Sequence, residues 1–187
     1  MIDVTPLDTN NPALVDAVAD VATLLHLGFV GISPAWPDLA SAHSEVLAHS
    51  TPSHISLIAT IDHTIVGWVA ANPQYDGHAW ELHPLVVAQA YRRRGIARTL
   101  VAHLITQLQY RAATTLFVWC DDEIGSTSLA HTTLYPEPLH HTAHFHATTP
   151  HASLFYRSVG FVLCGVLPDA NGIGKPDILF ARRVNAP

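Results

Sequence analysis

The segment Leu85-Val86-Val87-Ala88-Gln89-Ala90-Tyr91-Arg92-Arg93-Arg94-Gly95-Ile96-Ala97 decides the fold. An apolar strand passes through a short basic loop containing glycine and enters an amphipathic helix. The first N–H groups of a helix have no partner within it, and the helix dipole places its positive end there. Three arginines at that end oppose the dipole by about a few tenths of a kcal/mol each. Their position makes sense if an anion sits between them, so the loop reads as a phosphate cradle in which Gly95 and Ala97 allow close approach to the backbone.

Downstream of the loop, Ala97, Leu100, Val101, Leu104, Ile105 and Leu108 recur at helical period, which predicts a helix over 95–111. Upstream, a strand is expected over 79–87, with a bulge or an exposed edge at Pro84, which has no N–H for a ladder. Two apolar runs, 56–61 and 65–71, flank Asp62-His63-Thr64 and read as a hairpin. Strands are also expected over 2–6, 115–120, 161–167 and 178–183, with the turn chemistry of Asn171-Gly172 joining the last two. Helices are expected over 12–26, where Leu14, Val18, Val21, Leu24 and Leu25 share a face, over 41–49, and over 152–159 before Gly160. Residues 124–150, rich in Thr, His and Pro, read as a long excursion with partial helix at its start. The pattern is a mixed α/β (α+β) chain forming one domain over 1–187.

The formal charge is −6, from 15 acidic and 9 basic residues, which disfavours nucleic acid and anionic membranes as partners and draws in cationic small molecules. No basic and apolar leader opens the chain, and no apolar run approaches the roughly 18 residues needed to cross a bilayer. A cytoplasmic location is expected. Cys120 and Cys164 are expected to be buried and reduced. His140, His141, His144, His146 and His151 crowd one excursion without a diagnostic ligand spacing, so no metal site is expected.

Arg92, Gly95 and Ala97 fit the Arg/Gln-x-x-Gly-x-Gly/Ala signature, and the chain resembles the GNAT superfamily of N-acetyltransferases. The resemblance implies acetyl-coenzyme A as cosubstrate and no metal. It places the pyrophosphate on Arg92, Arg93, Arg94, Gly95, Ile96 and Ala97, and the pantetheine arm on the backbone of Leu85, Val86 and Val87. It also implies a central, mostly antiparallel sheet splayed at a bulged strand, with helices on both faces. Phe155-Tyr156-Arg157-Ser158-Val159-Gly160-Phe161 resembles a second element of that superfamily, in which the tyrosine protonates the departing thiolate. Tyr156 is thereby the expected general acid.

Further segments resemble the aminoglycoside 6'-N-acetyltransferases within the superfamily: Ala35-Trp36-Pro37-Asp38, Val66-Gly67-Trp68, Trp80-Glu81-Leu82-His83-Pro84, Asp121-Asp122-Glu123 and Pro168-Asp169-Ala170-Asn171-Gly172 with Lys175-Pro176-Asp177-Ile178. The resemblance implies a cationic aminoglycoside substrate and a homodimer. Its acceptor cleft would use Glu81, His83, Asp121, Asp122 and Glu123, with Trp36 and Trp68 as walls. The amine attacks the thioester directly, with Asp121 as first choice of proton acceptor, Glu81 as second, and the backbone N–H near Val86 facing the developing oxyanion. Trp119-Cys120 departs from the small pair expected before the acids. A polyamine, metabolite or peptide amine as acceptor, a noncatalytic acyl-coenzyme A sensor and a histidine-rich metal module are the alternatives.

Overall fold

A computed structural model describes residues 1–7 and 15–185. The chain is mixed α/β with mostly antiparallel strands and divides into two compact units, 1–116 with 184–187, and 117–183.

The first unit contains β1 (Asp3–Pro6), α1 (Val15–Phe29), α2 (Leu39–Ala48), β2 (Ile55–Ile61), β3 (Thr64–Gln74), β4 (Ala79–Val87) and α3 (Ile96–Tyr110). Its strands form an antiparallel meander in the order β1-β2-β3-β4. The β2–β3 turn is tighter than expected. Asp62 and His63 both take positive φ, 47° and 64°, the mirror-image turn whose twist matches the flanking strands. β3 runs three residues past the expected Ala71, because Asn72, Pro73 and Gln74 pair with Glu81, Trp80 and Ala79. Tertiary pairing here overrides a turn-like composition.

Helices cover both faces of this sheet. α1 and α2 bury Val18, Val21, Ala22, Leu25, Ala42 and Val46 with Trp68, Ala70 and Val86. The expected start of α1, at Pro12 and Leu14, lies outside the described residues. α2 begins two residues earlier than expected, because Asp38 caps it: its carboxylate accepts from the Ser41 N–H at 2.8 Å and Ser41 Oγ lies 3.4 Å from the Asp38 N–H. On the opposite face α3 buries Ile96, Leu100, Val101, Leu104 and Leu108. Gly67 sets its approach, since a Cβ there would stand 3.0 Å from both Ile96 Cγ2 and Leu100 Cδ1.

β5 (Thr115–Asp121) starts in the first unit and continues into the second, which adds α4 (Pro138–Ala143), α5 (Ala152–Ser158), β6 (Val162–Leu167) and β7 (Asp177–Arg183). The strand order there is β5-β7-β6, with β6 and β7 antiparallel. The helix of the 124–150 excursion lies in its middle rather than at its start. The start is pinned instead as a turn whose N–H groups Asp122 accepts, and Pro138 opens the helix where its missing N–H costs nothing. Of the two cysteines, Cys120 is buried as expected, whereas Cys164 is exposed on β6 because alternation turns it outward. Among the described residues, no helix is long and apolar enough to cross a membrane.

Candidate active site

In the first unit, β4 and the loop into α3 form the segment expected to cradle an anion. The ladder between β3 and β4 slips by one residue where Val69 and Ala71 face Leu85 and Leu82, so His83 and Pro84 together oppose Ala70. That is a bulge at the position the sequence marked. Beyond it, Val86 faces Trp68 and Val87 faces Gly67, and the Ala88 N–H continues the ladder to the Val66 carbonyl at 2.9 Å.

Gly95 caps α3 at φ +85° with open space before its Cα, and Arg93 also lies in the left-handed region at φ +65°. The first turn of α3 carries no acidic residue. The N–H donors of a helix start, a positive dipole end and room at the glycine fit a pyrophosphate. The three arginines divide their work. Arg92 is a tether, with Nε donating to the Val87 carbonyl at 3.1 Å and Nη2 to the Gly28 carbonyl at 3.3 Å. Arg94 lies over the Tyr91 ring, 5.1 Å from its centroid, and Arg93 is exposed. The Arg92 guanidinium is exposed, and these two bonds use only part of its five N–H donors.

Gly28 was missed by sequence reasoning. A Cβ there would collide with Val86 Cγ2, so the C-terminal turn of α1 rests directly on the strand leading into the loop. A glycine inside an apolar helical pattern is the signal that marks such close approach.

The two proposed aromatic walls are not walls. Trp68 is fully buried and donates from Nε1 to Ser56 Oγ at 2.8 Å, and Trp36 is 8% exposed, edge-on to Phe29 at 4.7 Å. Both are core residues because their large apolar area is worth more buried than exposed. Trp36 does support His83, with ring centroids 5.7 Å apart. His83 Nε2 lies 3.4 Å from Glu45 Oε1, and His49 Nδ1 approaches the same oxygen at 3.3 Å. The contact with His83 is the largest cause holding the Glu45 carboxyl below its ordinary range, despite partial burial. Glu81 is half-buried, opposite Asn72 on β3.

In the second unit the three acids after β5 have three different environments. Asp122 is 1% exposed, and its oxygens accept from the Ser126 and Thr127 N–H groups at 2.6 and 2.8 Å. It anchors a loop and has no face for substrate, which corrects its expected role. Glu123 is paired with Lys175, the sole lysine of the chain, at 2.9 Å. Asp121 is exposed and accepts from Asn171 Nδ2 through Oδ1 at 3.1 Å. Asn171 and Lys175 thus set the acids from a loop about 50 residues away.

Tyr156 is buried on α5 against Phe155 and Phe161. Burial first, then the neighbouring Cys120, pushes its hydroxyl well above the ordinary range, so it stays protonated. Burial likewise pushes the Cys120 thiol up, helped by Asp177 and Asp121, and leaves it without thiolate character. Trp119, the unexpected residue beside it, is 36% exposed. Among the described residues, no group of three or more His, Cys, Asp or Glu is placed to hold a metal ion.

Residues 19–131 match the model of the acetyltransferase (GNAT) family. The chain belongs to the GNAT family of acetyltransferases. Two solved relatives extend the likeness to the full length. An aminoglycoside 6'-N-acetyltransferase complexed with coenzyme A is 32% identical at TM-score 0.88, and the aminoglycoside 6'-N-acetyltransferase from Enterococcus faecium is 33% identical at TM-score 0.87; each covers 99% of this chain and 98% of its own. The ribosomal-protein-S18-alanine N-acetyltransferase from Escherichia coli, 15% identical at TM-score 0.65 over 100% of this chain and 96% of its own, shares the fold alone. No curated protein sequence matches the chain. The Arg92 to Ala97 loop of this GNAT acetyltransferase lies within the matched segment.

Proposed function

We propose that this GNAT enzyme transfers acetyl from acetyl-coenzyme A to the 6'-amine of an aminoglycoside, and that the transfer confers resistance. The whole chain acts as one acetyltransferase domain. The observation that carries the acceptor is the full-length likeness to two aminoglycoside 6'-N-acetyltransferases, one of them bound to coenzyme A. The acidic surplus of the chain supports a polycationic substrate.

Acetyl-coenzyme A, as cosubstrate, supplies a thioester that the amine attacks directly. N–H groups of Arg93 to Ala97 bind its pyrophosphate, with the Arg93 and Arg94 side chains as counter-ions, and Leu85 to Val87 align its arm by backbone pairing. The N–H near Val86 stabilises the oxyanion. Glu81, His83 and Asp121 contact the aminoglycoside. Carboxylates that attract the ammonium also raise its pKa, so one must remove a proton before attack. Asp121 takes that proton, directly or through water, because it is the exposed member of the acid cluster while Asp122 and Glu123 are committed elsewhere. Tyr156, kept protonated by burial, gives its proton to the thiolate and is restored by the second proton that the acylated nitrogen sheds.

A thiol-release assay with acetyl-coenzyme A tests this against aminoglycosides that differ in a 6'-amine or a 6'-hydroxyl. Turnover confined to the amine forms is expected. Equal turnover of hydroxyl forms rejects the regiochemistry, and release with polyamines or peptide amines alone reassigns the acceptor. Binding without turnover would make the chain a sensor.

A further inference from the structure

The histidine-rich excursion holds one histidine unlike its neighbours. The His140 and His144 rings pack at a tilt, 5.1 Å between centroids, and the His144 and His146 Nδ1 atoms meet backbone carbonyls four and two residues away. His151 instead joins two separate elements of the second unit. It occupies the N-cap of α5, where its Nδ1 accepts from the Ser153 N–H at 3.2 Å and lies 2.9 Å from Ser153 Oγ. Its Nε2 lies 3.1 Å from the Asp121 carbonyl at the end of β5.

The partners settle the tautomer. A backbone N–H only donates, so Nδ1 holds a lone pair. A carbonyl only accepts, so the proton is on Nε2, and the ring is neutral. One imidazole therefore fixes the backbone of Asp121 and caps the helix that carries Tyr156. Asn171 holds the Asp121 carboxylate from the other side, through Oδ1. Ser153 is fully buried, so the capped end of α5 has no water to replace the lost acceptor.

We infer that His151 is a positioning residue for the acetyl transfer: its neutral Nε2–H tautomer clasps the end of β5 to the start of α5 and so fixes Asp121 relative to Tyr156. The inference rests on the reaction proposed above. It acts on no substrate atom itself. Its effect is geometric, and a small misplacement of reacting groups costs rate rather than cosubstrate affinity.

Two full-length variants separate this role from simple capping. Asparagine caps helices well but is too short to reach Asp121 while doing so; alanine does neither. His151→Asn is expected to keep a Tm near wild type and a KM for acetyl-coenzyme A within about twofold, yet lose about tenfold or more in kcat. His151→Ala is expected to lose the same kcat and a lower Tm as well. A wild-type kcat in His151→Asn overturns the inference and leaves a helix cap. Long-range proton–nitrogen NMR of the wild-type imidazole should show an unprotonated Nδ1, and a protonated Nδ1 in active enzyme also overturns it. A wild-type protein that turns over no aminoglycoside rejects the proposed reaction, and the kinetic role with it, whereas a failed His151→Asn result in active enzyme rejects this inference alone.

Discussion

The β4 to α3 segment of the first unit and the β5 to α5 segment of the second solve opposite problems. The first is proposed to present N–H groups to an anion, and its determinants are backbone geometry: the bulge at His83 and Pro84, positive φ at Arg93 and Gly95, and the close approaches at Gly28 and Gly67. The second presents one exposed carboxylate and one buried phenol, and its determinants are side-chain partners: Asn171 on Asp121, backbone N–H groups on Asp122, Lys175 on Glu123 and His151 at the α5 cap. A backbone-built site should tolerate changes of side-chain charge and fail when its φ/ψ changes. A side-chain-built site should do the reverse.

The largest expected effect falls on the buried phenol. Tyr156→Phe removes the proposed proton donor and keeps the ring packing, so kcat should fall by about a hundredfold or more with Tm nearly unchanged. An unchanged kcat would move the acid role to solvent. Next comes the cradle. A β-branched residue in the left-handed region costs about 1–3 kcal/mol, so Gly95→Val should raise the KM for acetyl-coenzyme A by roughly tenfold or more. Arg93→Ala, which changes charge and leaves the N–H groups in place, should raise it only a few-fold, with a weaker dependence on salt. If the two variants behave alike, the cradle is not built from backbone.

That contrast also explains which parts were legible in sequence. β4 spans 79–87 as expected, α3 falls within the expected 95–111, and the proline marked the bulge, because each depends on residues adjacent along the chain. The acid cluster was legible only as composition. Three neighbouring carboxylates look equivalent until Asn171, Lys175 and the 126–127 backbone reach them, and pairings 50 residues apart leave no local signal. Trp36 and Trp68 misled for a related reason: an aromatic residue in a recognised segment does not say whether its ring faces the core or a cleft. His151 was hidden by its histidine-rich surroundings.

Asp122 separates the two acids that the sequence could not tell apart. Asp122→Asn exchanges a buried carboxylate that accepts two N–H bonds for an amide able to accept through only one atom. Hydrogen bonds to charged groups contribute about 1.5–3 kcal/mol each, so a stability loss of about that size is expected, read as a lower denaturant midpoint. Asp121→Asn, exposed and bonded through one oxygen, should leave the midpoint nearly unchanged and lower kcat instead. Matching losses of stability in both variants would erase the distinction.

The smallest effect concerns the contact behind His83 in the first unit. Glu45 is held below its ordinary value of 4.5, chiefly by the hydrogen bond from His83, with the charge of His49 also lowering it against the opposing effect of burial. A depressed carboxyl contributes its stability above the unfolded value and loses it as pH falls through the folded one. Wild type should therefore lose thermal stability on acidification below about pH 4.5 more steeply than Glu45→Gln, which has no charge to lose, and the two curves should converge at the acid end. The same variant should leave the cradle untouched, so its KM for acetyl-coenzyme A stays at the wild-type value. Parallel acid curves would mean that the Glu45–His83 contact carries no net charge interaction, and that Trp36 alone sets the imidazole.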